Sequence, residues 1–422
     1  MSRRLTTTIP ALVAGAVLVL AACSTPPPAG SSPSGSSPSA SSPSGSSPSG
    51  SSPSTPAAAG STSSGSAPSG SSPATGSATG GSSSESVSAG SSPSTSRANN
   101  AAFLPCVVSD TAGFNDHSFN QLSLQAVKQV AKASGTSYKT AESKTAADYV
   151  PNVNQLVAAG CTATVASGFN LVAAVKAAAT KDPKNDFVMV DDNSIKLPNV
   201  KDVVFATNQA AFLGGYAAAA YSKTGVVATW GGQEIPPVTI YMDGFWDGVQ
   251  YFNQQNHKNV TVLGWNEKTQ KGTFVGNFTD QNAAKTITTN FINQNADVIM
   301  PVAGSLYQGG GAAIRSTGAK AVLVGVDADL FQTDTSGYQN IILVSVLKNI
   351  QPAVASVLGQ AAQNTFSNGE YIGTLKNNGV GLSPFHDFAG KIPSSLASQL
   401  DTIKSKIIDG SITVPSPSEP KG

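Results

Sequence analysis

The chain has 422 residues, 25 basic and 24 acidic side chains, a formal net charge of +1 and only 12% charged residues. That balance supplies no basic field for nucleic acid or an anionic lipid surface, so neither is an expected partner. Serine, proline and glycine crowd the N-terminal quarter and dilute the charge, so one average covers two different kinds of chain.

The N-terminus carries Arg3 and Arg4 ahead of an apolar run over residues 9–22. A membrane-spanning helix needs about 20 apolar residues, so this shorter run reads as the core of a signal peptide. It ends in Leu20-Ala21-Ala22-Cys23, which resembles the lipobox of bacterial lipoproteins. The resemblance implies cleavage after residue 22 and a thioether-linked diacylglyceryl on Cys23. Each buried acyl CH₂ contributes about 0.8 kcal/mol, and two chains give stable anchoring. The expected location is therefore the extracytoplasmic face of the cell membrane, held by lipid. An ordinary signal peptide followed by a chance cysteine is the competing reading. Loss of two arginines from 25 would leave 23 basic against 24 acidic residues.

Residues 23–100 form the next expected segment, the lipidated cysteine plus a tract of Ser, Pro, Gly, Ala and Thr with repeats such as Ser41-Ser42-Pro43-Ser44-Gly45. Such a composition cannot bury apolar surface and is expected to be disordered. As a coil, ~75 residues span roughly 50 Å, and fully extended about 230 Å. The tract reads either as a tether or as neutral low-complexity sequence.

From Phe103 the pattern changes to short β-rich runs alternating with helical periodicity. Strands are predicted at 103–109, 137–142, 162–166, 187–190, 203–206, 226–230, 260–263, 297–301, 321–326 and 341–346. A helix is predicted over 119–134, with Phe119, Leu122, Ala126, Val127 and Val130 on one face and Gly135 at its end. Pro151 sits near the start of another, where its missing N–H costs nothing. Alternating strand and helix predicts an α/β fold of parallel sheets wrapped by helices.

Ligands of open α/β sheets bind beyond the carboxyl ends of the strands. The residues there are Asp110 with the loop Thr111 to Asn120, then Asp191-Asp192-Asn193, Ala303-Gly304, Asp327 and Asp329, and Lys348. Gly276-Asn277-Phe278-Thr279-Asp280 precedes a further helix. Carboxylates, one ammonium and aromatic rings thus recur where the fold would converge them. Each aspartate taken singly also reads as a helix N-cap.

These residues resemble the opening signature and later motifs of the basic membrane protein family, the nucleoside-binding lipoproteins of ABC importers. The resemblance runs from Asp110 to Asn120 through Asp148-Tyr149-Val150-Pro151-Asn152, Gly168-Phe169 and Phe212-Leu213-Gly214-Gly215. It continues in Gly244-Phe245, Gly248, Gly304, Gly325-Val326-Asp327, Ser345 and Lys348, and covers most of 103–385. It implies a type I periplasmic-binding fold within 101–422: two Rossmann-like lobes joined by a three-crossing hinge, with ligand in the cleft. The N-terminal lobe would hold about 103–207 and 346–375, the C-terminal lobe about 208–344, with 376–422 crossing back. By the same resemblance Phe119 and Phe278 stack on a base, one from each lobe. Asn120 and Asp191 read the base edge, Asp327 and Lys348 hold ribose hydroxyls, and Asp110 and Gly304 line the pocket. Departures are Thr111-Ala112 in place of the Gly-Gly often seen there, and Leu330 in place of a glutamine. Both bear on ligand subtype more than on fold.

Two cysteines remain, Cys106 and Cys161. In a doubly wound sheet of order 2-1-3 their strands are neighbours, and an oxidising compartment favours a disulfide over two buried free thiols. His117, His257 and His386 are too few and too scattered for a metal cluster, and His117 reads as a surface-loop residue. No metal, cofactor or catalytic set is expected. The expectation is a monomeric, non-enzymatic substrate-binding lipoprotein that captures a purine nucleoside and delivers it to the membrane subunits of an ABC permease. Another small polar metabolite, or a receptor feeding a sensor, is the alternative reading.

Overall fold

A computed structural model describes residues 103–421. The expected signal peptide 1–22, the lipidation residue Cys23 and the stalk up to residue 100 lie outside the described residues.

The first sheet is built from β1 (Pro105–Ser109), β2 (Lys139–Ala141), β3 (Ala163–Ser167), β4 (Asp186–Val190) and β5 (Val200–Phe205). Between them run α1 (Phe119–Ser134), α2 (Tyr149–Ala158) and α3 (Val172–Lys181). α1 spans the residues its periodicity predicts and stops at Gly135, whose φ of 67° lets the chain leave the helix left-handed. Next, α4 (Thr207–Tyr221) leads into the second sheet, with β6 (Val226–Gly231), α5 (Pro236–Asn256) and β7 (Thr261–Leu263). A small ribbon of β8 (Trp265–Asn266) and β9 (Lys271–Gly272) precedes α6 (Gln281–Asn293), β10 (Val298–Val302) and α7 (Tyr307–Thr317). The remaining elements are β11 (Val322–Asp327), α8 (Leu330–Thr333), β12 (Ile342–Lys348), α9 (Ile350–Ala362), β13 (Gly369–Gly373), β14 (Val380–Leu382) and α10 (Leu396–Ile408).

The sheet orders are β2-β1-β3-β4-β5-β13 and β7-β6-β10-β11-β12-β14. Every neighbouring pair is parallel except β12 with β14. Two lobes of one topology result, and the chain passes between their sheets three times: after β5, after β12 and between β13 and β14. β12 stays paired in the second sheet through Lys348, so the return to the first sheet falls later than the expected point near residue 346. The sequence pattern did not announce β13 and β14, short edge strands with several half-exposed positions.

α4 and α5 touch backbone to backbone. A Cβ on Gly215 would stand 2.0 Å from the Phe245 carbonyl oxygen, and one on Gly248 would stand 2.0 Å from that of Phe212. The glycines of the Phe212–Gly215 and Gly244–Gly248 motifs therefore serve helix packing. This packing fixes α5, whose first turns face the cleft. Cys106 and Cys161 are joined as a disulfide with Cα atoms 5.9 Å apart. It ties the amino-terminal ends of β1 and β3, at the end of the sheet away from the ligand cavity described below.

Candidate ligand-binding site

A cavity lies between the lobes. Strand ends from both sheets supply its walls: Asp110 after β1, Gly168-Phe169 after β3, Asp191 after β4, Ala303-Gly304 after β10, and Asp327 and Lys348 closing β11 and β12. Phe119 opens α1, Asn120 follows it, and Phe278 comes from the loop before α6. All eight residues proposed from sequence for ligand contact, Asp110, Phe119, Asn120, Asp191, Phe278, Gly304, Asp327 and Lys348, thus line one cavity. Room for the rings is built into the backbone. A Cβ on Gly232 would fall 2.3 Å from the Phe278 ring, and one on Gly168 would fall 3.2 Å from an Asp110 carboxylate oxygen.

Lys348 is 3% exposed and sits between two carboxylates, 2.8 Å from Asp191 and 3.6 Å from Asp327. Burial works against its charge, but Asp191 and Asp327 outweigh burial, and its pKa is raised. The ammonium also lies 5.1 Å from the centre of the Phe119 ring. Asp191 and Asp327 occupy matching positions at the carboxyl end of the fourth strand of each sheet, Asp191 just past β4 and Asp327 closing β11, both left-handed with φ 69° and 64°. Non-glycine residues there carry strain of order 1–3 kcal/mol, a feature that clusters at ligand sites.

A second network holds Asp110. Its Oδ1 accepts from the Ala112 amide at 2.9 Å and from the Asn120 side chain at 2.8 Å. Asn120 also donates to Asp116 at 3.1 Å and accepts from the Asp110 amide at 3.2 Å. Both side-chain amide hydrogens of Asn120 therefore go to protein carboxylates. Burial raises the Asp110 pKa to about 6, with Asn120 and the Ala112 amide pulling the other way. Burial likewise raises that of Asp116, which accepts amide hydrogens from Ser118, Asn120 and Gln121 and so caps α1.

Residues 103–418 match the family described as ABC transporter substrate-binding protein, PnrA-like. The chain belongs to this family. It is 28% identical over 326 residues to the ABC transporter nucleoside-binding protein BmpA of Lactococcus lactis subsp. cremoris, covering 74% of this chain and 88% of that one. It is 28% identical over 311 residues to basic membrane protein A of Borreliella burgdorferi, covering 72% and 86%. Among solved structures, an ABC transporter solute-binding protein of Aeropyrum pernix aligns with a TM-score of 0.63 at 24% identity, covering 74% of this chain and 94% of that one.

Several cavity residues of this family member were not singled out from sequence. Tyr241 in α5 donates its phenol hydrogen to Asp327 at 2.8 Å, and burial, then Asp327, push its pKa well above the ordinary value. No spacing signals it, because a mid-helix tyrosine among apolar residues reads as core. Pro237 and Val238 reach the cavity from the same helix start. Other aspartates of the loops take structural roles. Asp192 accepts from Ser194, Asp329 pairs with His386 at 2.8 Å, and Asp280 caps α6. His117, the residue expected on a surface loop, is hydrogen-bonded to Thr335 at 3.2 Å.

Proposed function

We propose that this member of the ABC substrate-binding family captures a purine nucleoside between its lobes and delivers it to a permease. The observation that carries the reading is the placement of Phe119 and Phe278, from opposite lobes, at one cavity with Asp110, Asp191, Asp327 and Lys348. A purine offers two apolar faces, and aromatic pairs contribute about 0.5–1.5 kcal/mol beyond burial. Vicinal hydroxyls donate to Asp327, and hydrogen bonds to a charged acceptor are roughly twice as strong as neutral ones. Asn120 orients Asp110, whose second oxygen is left to accept from the imino and amino hydrogens of a guanine-type base.

Four carboxylates, Asp110, Asp116, Asp191 and Asp327, and one ammonium line the cavity, so an added phosphate meets net negative charge. The ligand is therefore a nucleoside and not a nucleotide. The name of the Lactococcus relative, a nucleoside-binding protein, agrees with this reading. The lipobox-like Leu20-Ala21-Ala22-Cys23 supports anchoring to the outer face of the cell membrane, where a permease would receive the ligand.

Mass spectrometry of small molecules released from the purified protein, followed by calorimetry with guanosine, inosine, adenosine and GMP, tests the proposal. Submillimolar affinity for a purine nucleoside with at least tenfold weaker GMP binding is expected. Failure of every nucleoside to bind would sink it. A Cys23→Ala variant that stays membrane-associated would remove the anchor.

A further inference from the structure

Ser118 occupies the N-cap position of α1, yet its side chain makes no capping hydrogen bond. A serine there normally accepts from the first-turn amides. Asp116 has taken that work, accepting from the amides of Asn120 and Gln121 at 2.7 and 3.0 Å. It also holds the Ser118 amide at 3.0 Å, which fixes the residue in place. The Ser118 hydroxyl points instead across the cleft. It lies 3.2 Å from the Val326 carbonyl oxygen and 3.2 Å from Asp327 Oδ2, over 200 residues away and in the other lobe. Ser118 is 1% exposed.

The surroundings of Asp327 give that contact its meaning. Its Oδ1 accepts from Tyr241, a residue of its own lobe, and faces Lys348. Its Oδ2 shares the single Ser118 hydroxyl hydrogen with the neighbouring Val326 carbonyl oxygen, each 3.2 Å away. Among the described residues three other side-chain pairs bridge the lobes: His117 with Thr335 at 3.2 Å, Asn170 with Gln233 at 2.8 Å and Lys348 with Asp191 at 2.8 Å, but of these contacts Ser118 is the one that brings a donor of the first lobe to Asp327. We propose that Ser118 is a positioning residue: it latches the lobes together and, only when they are closed, turns the Asp327 carboxylate to face the ligand. Opening the cleft returns Oδ2 to water. Closing it replaces that water with a fixed donor, so the hydroxyl acceptor is assembled by the same motion that traps the ligand. The ligand-contact part of this inference rests on Asp327 receiving ribose hydroxyls.

The test compares Ser118→Ala with the parent in the full-length protein, using guanosine and 2′,3′-dideoxyguanosine. A hydrogen bond to a charged group predicts about tenfold weaker guanosine binding, mostly through faster dissociation. Dideoxyguanosine, which feels the lost latch but not the turned carboxylate, is expected to weaken by only about twofold. No loss, or an equal loss for both ligands, overturns the proposal. Labels at Lys132→Cys and Lys285→Cys, exposed positions on α1 and α6, report lobe separation without any ligand. A longer mean separation in Ser118→Ala supports the latch, and an unchanged one overturns it. Should the parent bind no guanosine, the nucleoside reading fails while this distance still decides the latch.

Discussion

The two lobes share one topology but contribute different chemistry to the cleft. Each has a left-handed aspartate at the carboxyl end of its fourth strand, Asp191 in one and Asp327 in the other, and each follows its third strand with a positive-φ glycine, Gly168 and Gly304. Yet Asp191 is engaged by Lys348 at 2.8 Å, whereas Asp327 keeps that ammonium at 3.6 Å and takes hydrogen bonds from Tyr241 and Ser118. The first lobe adds the Asp110–Asn120–Asp116 network, in which one side-chain amide donates to two carboxylates. A repeated fold thus fixes where functional groups stand, while neighbouring side chains decide what each one does.

The sharpest way to break this comparison is to remove the matched aspartates one at a time. Asp327→Ala is expected to weaken guanosine binding about a hundredfold, from two lost charge-assisted hydrogen bonds, and Asp191→Ala only about tenfold. Equal losses in calorimetry would mean that the lobes divide the ligand differently. The pH dependence comes next in size. Asp110 titrates near 6, so its accepting carboxylate is lost as pH falls through that value. Affinity is expected to drop about tenfold between pH 7 and pH 5, and Asp110→Asn should flatten the profile. In the unliganded protein the same shift has the opposite sign. A folded carboxyl near 6, against 3.8 ordinarily, makes a contribution to stability that is lost as pH rises across that window. Asp110→Asn should therefore unfold at a higher denaturant concentration at pH 7 while binding guanosine poorly.

Exchanging the rings tests whether the lobes grip equally. Phe119→Leu and Phe278→Leu are each expected to cost about fivefold in affinity, since leucine keeps the apolar volume but loses the stacking face. A loss confined to one ring would place the base on one lobe alone. The smallest effect on binding is expected at the disulfide, tied to the far end of the first sheet. Replacing Cys106 and Cys161 with alanine should lower unfolding free energy by about 2–4 kcal/mol and leave affinity unchanged.

Much of this was legible along the chain because it rests on local periodicity. Buried parallel strands read as short apolar runs, α1 as a 3.6-residue repeat closed by Gly135, and the ligand groups as polar residues just past each strand. The glycines of α4 and α5 were visible as motifs, but their reason, two backbones within the reach of a Cβ, belongs to packing. The edge strands β13 and β14 escaped because half-exposed positions carry no strong apolar pattern. Asn120 stood out as a polar residue at a helix start, but the sequence alone does not say whether its amide faces a ligand or two carboxylates.

The sequence by itself determined the alternation of strand and helix, and with it the class of fold and the positions at which a ligand could be met. Side-chain period and strand-end polarity are properties of neighbours in the chain. Only the tertiary structure decided that Lys348 sits between Asp191 and Asp327, that Tyr241 serves Asp327, and that the Ser118 hydroxyl leaves its own helix for the opposite lobe. Those partnerships join residues far apart in the chain. Their energies depend on burial and on a few tenths of an ångström, which no local pattern encodes.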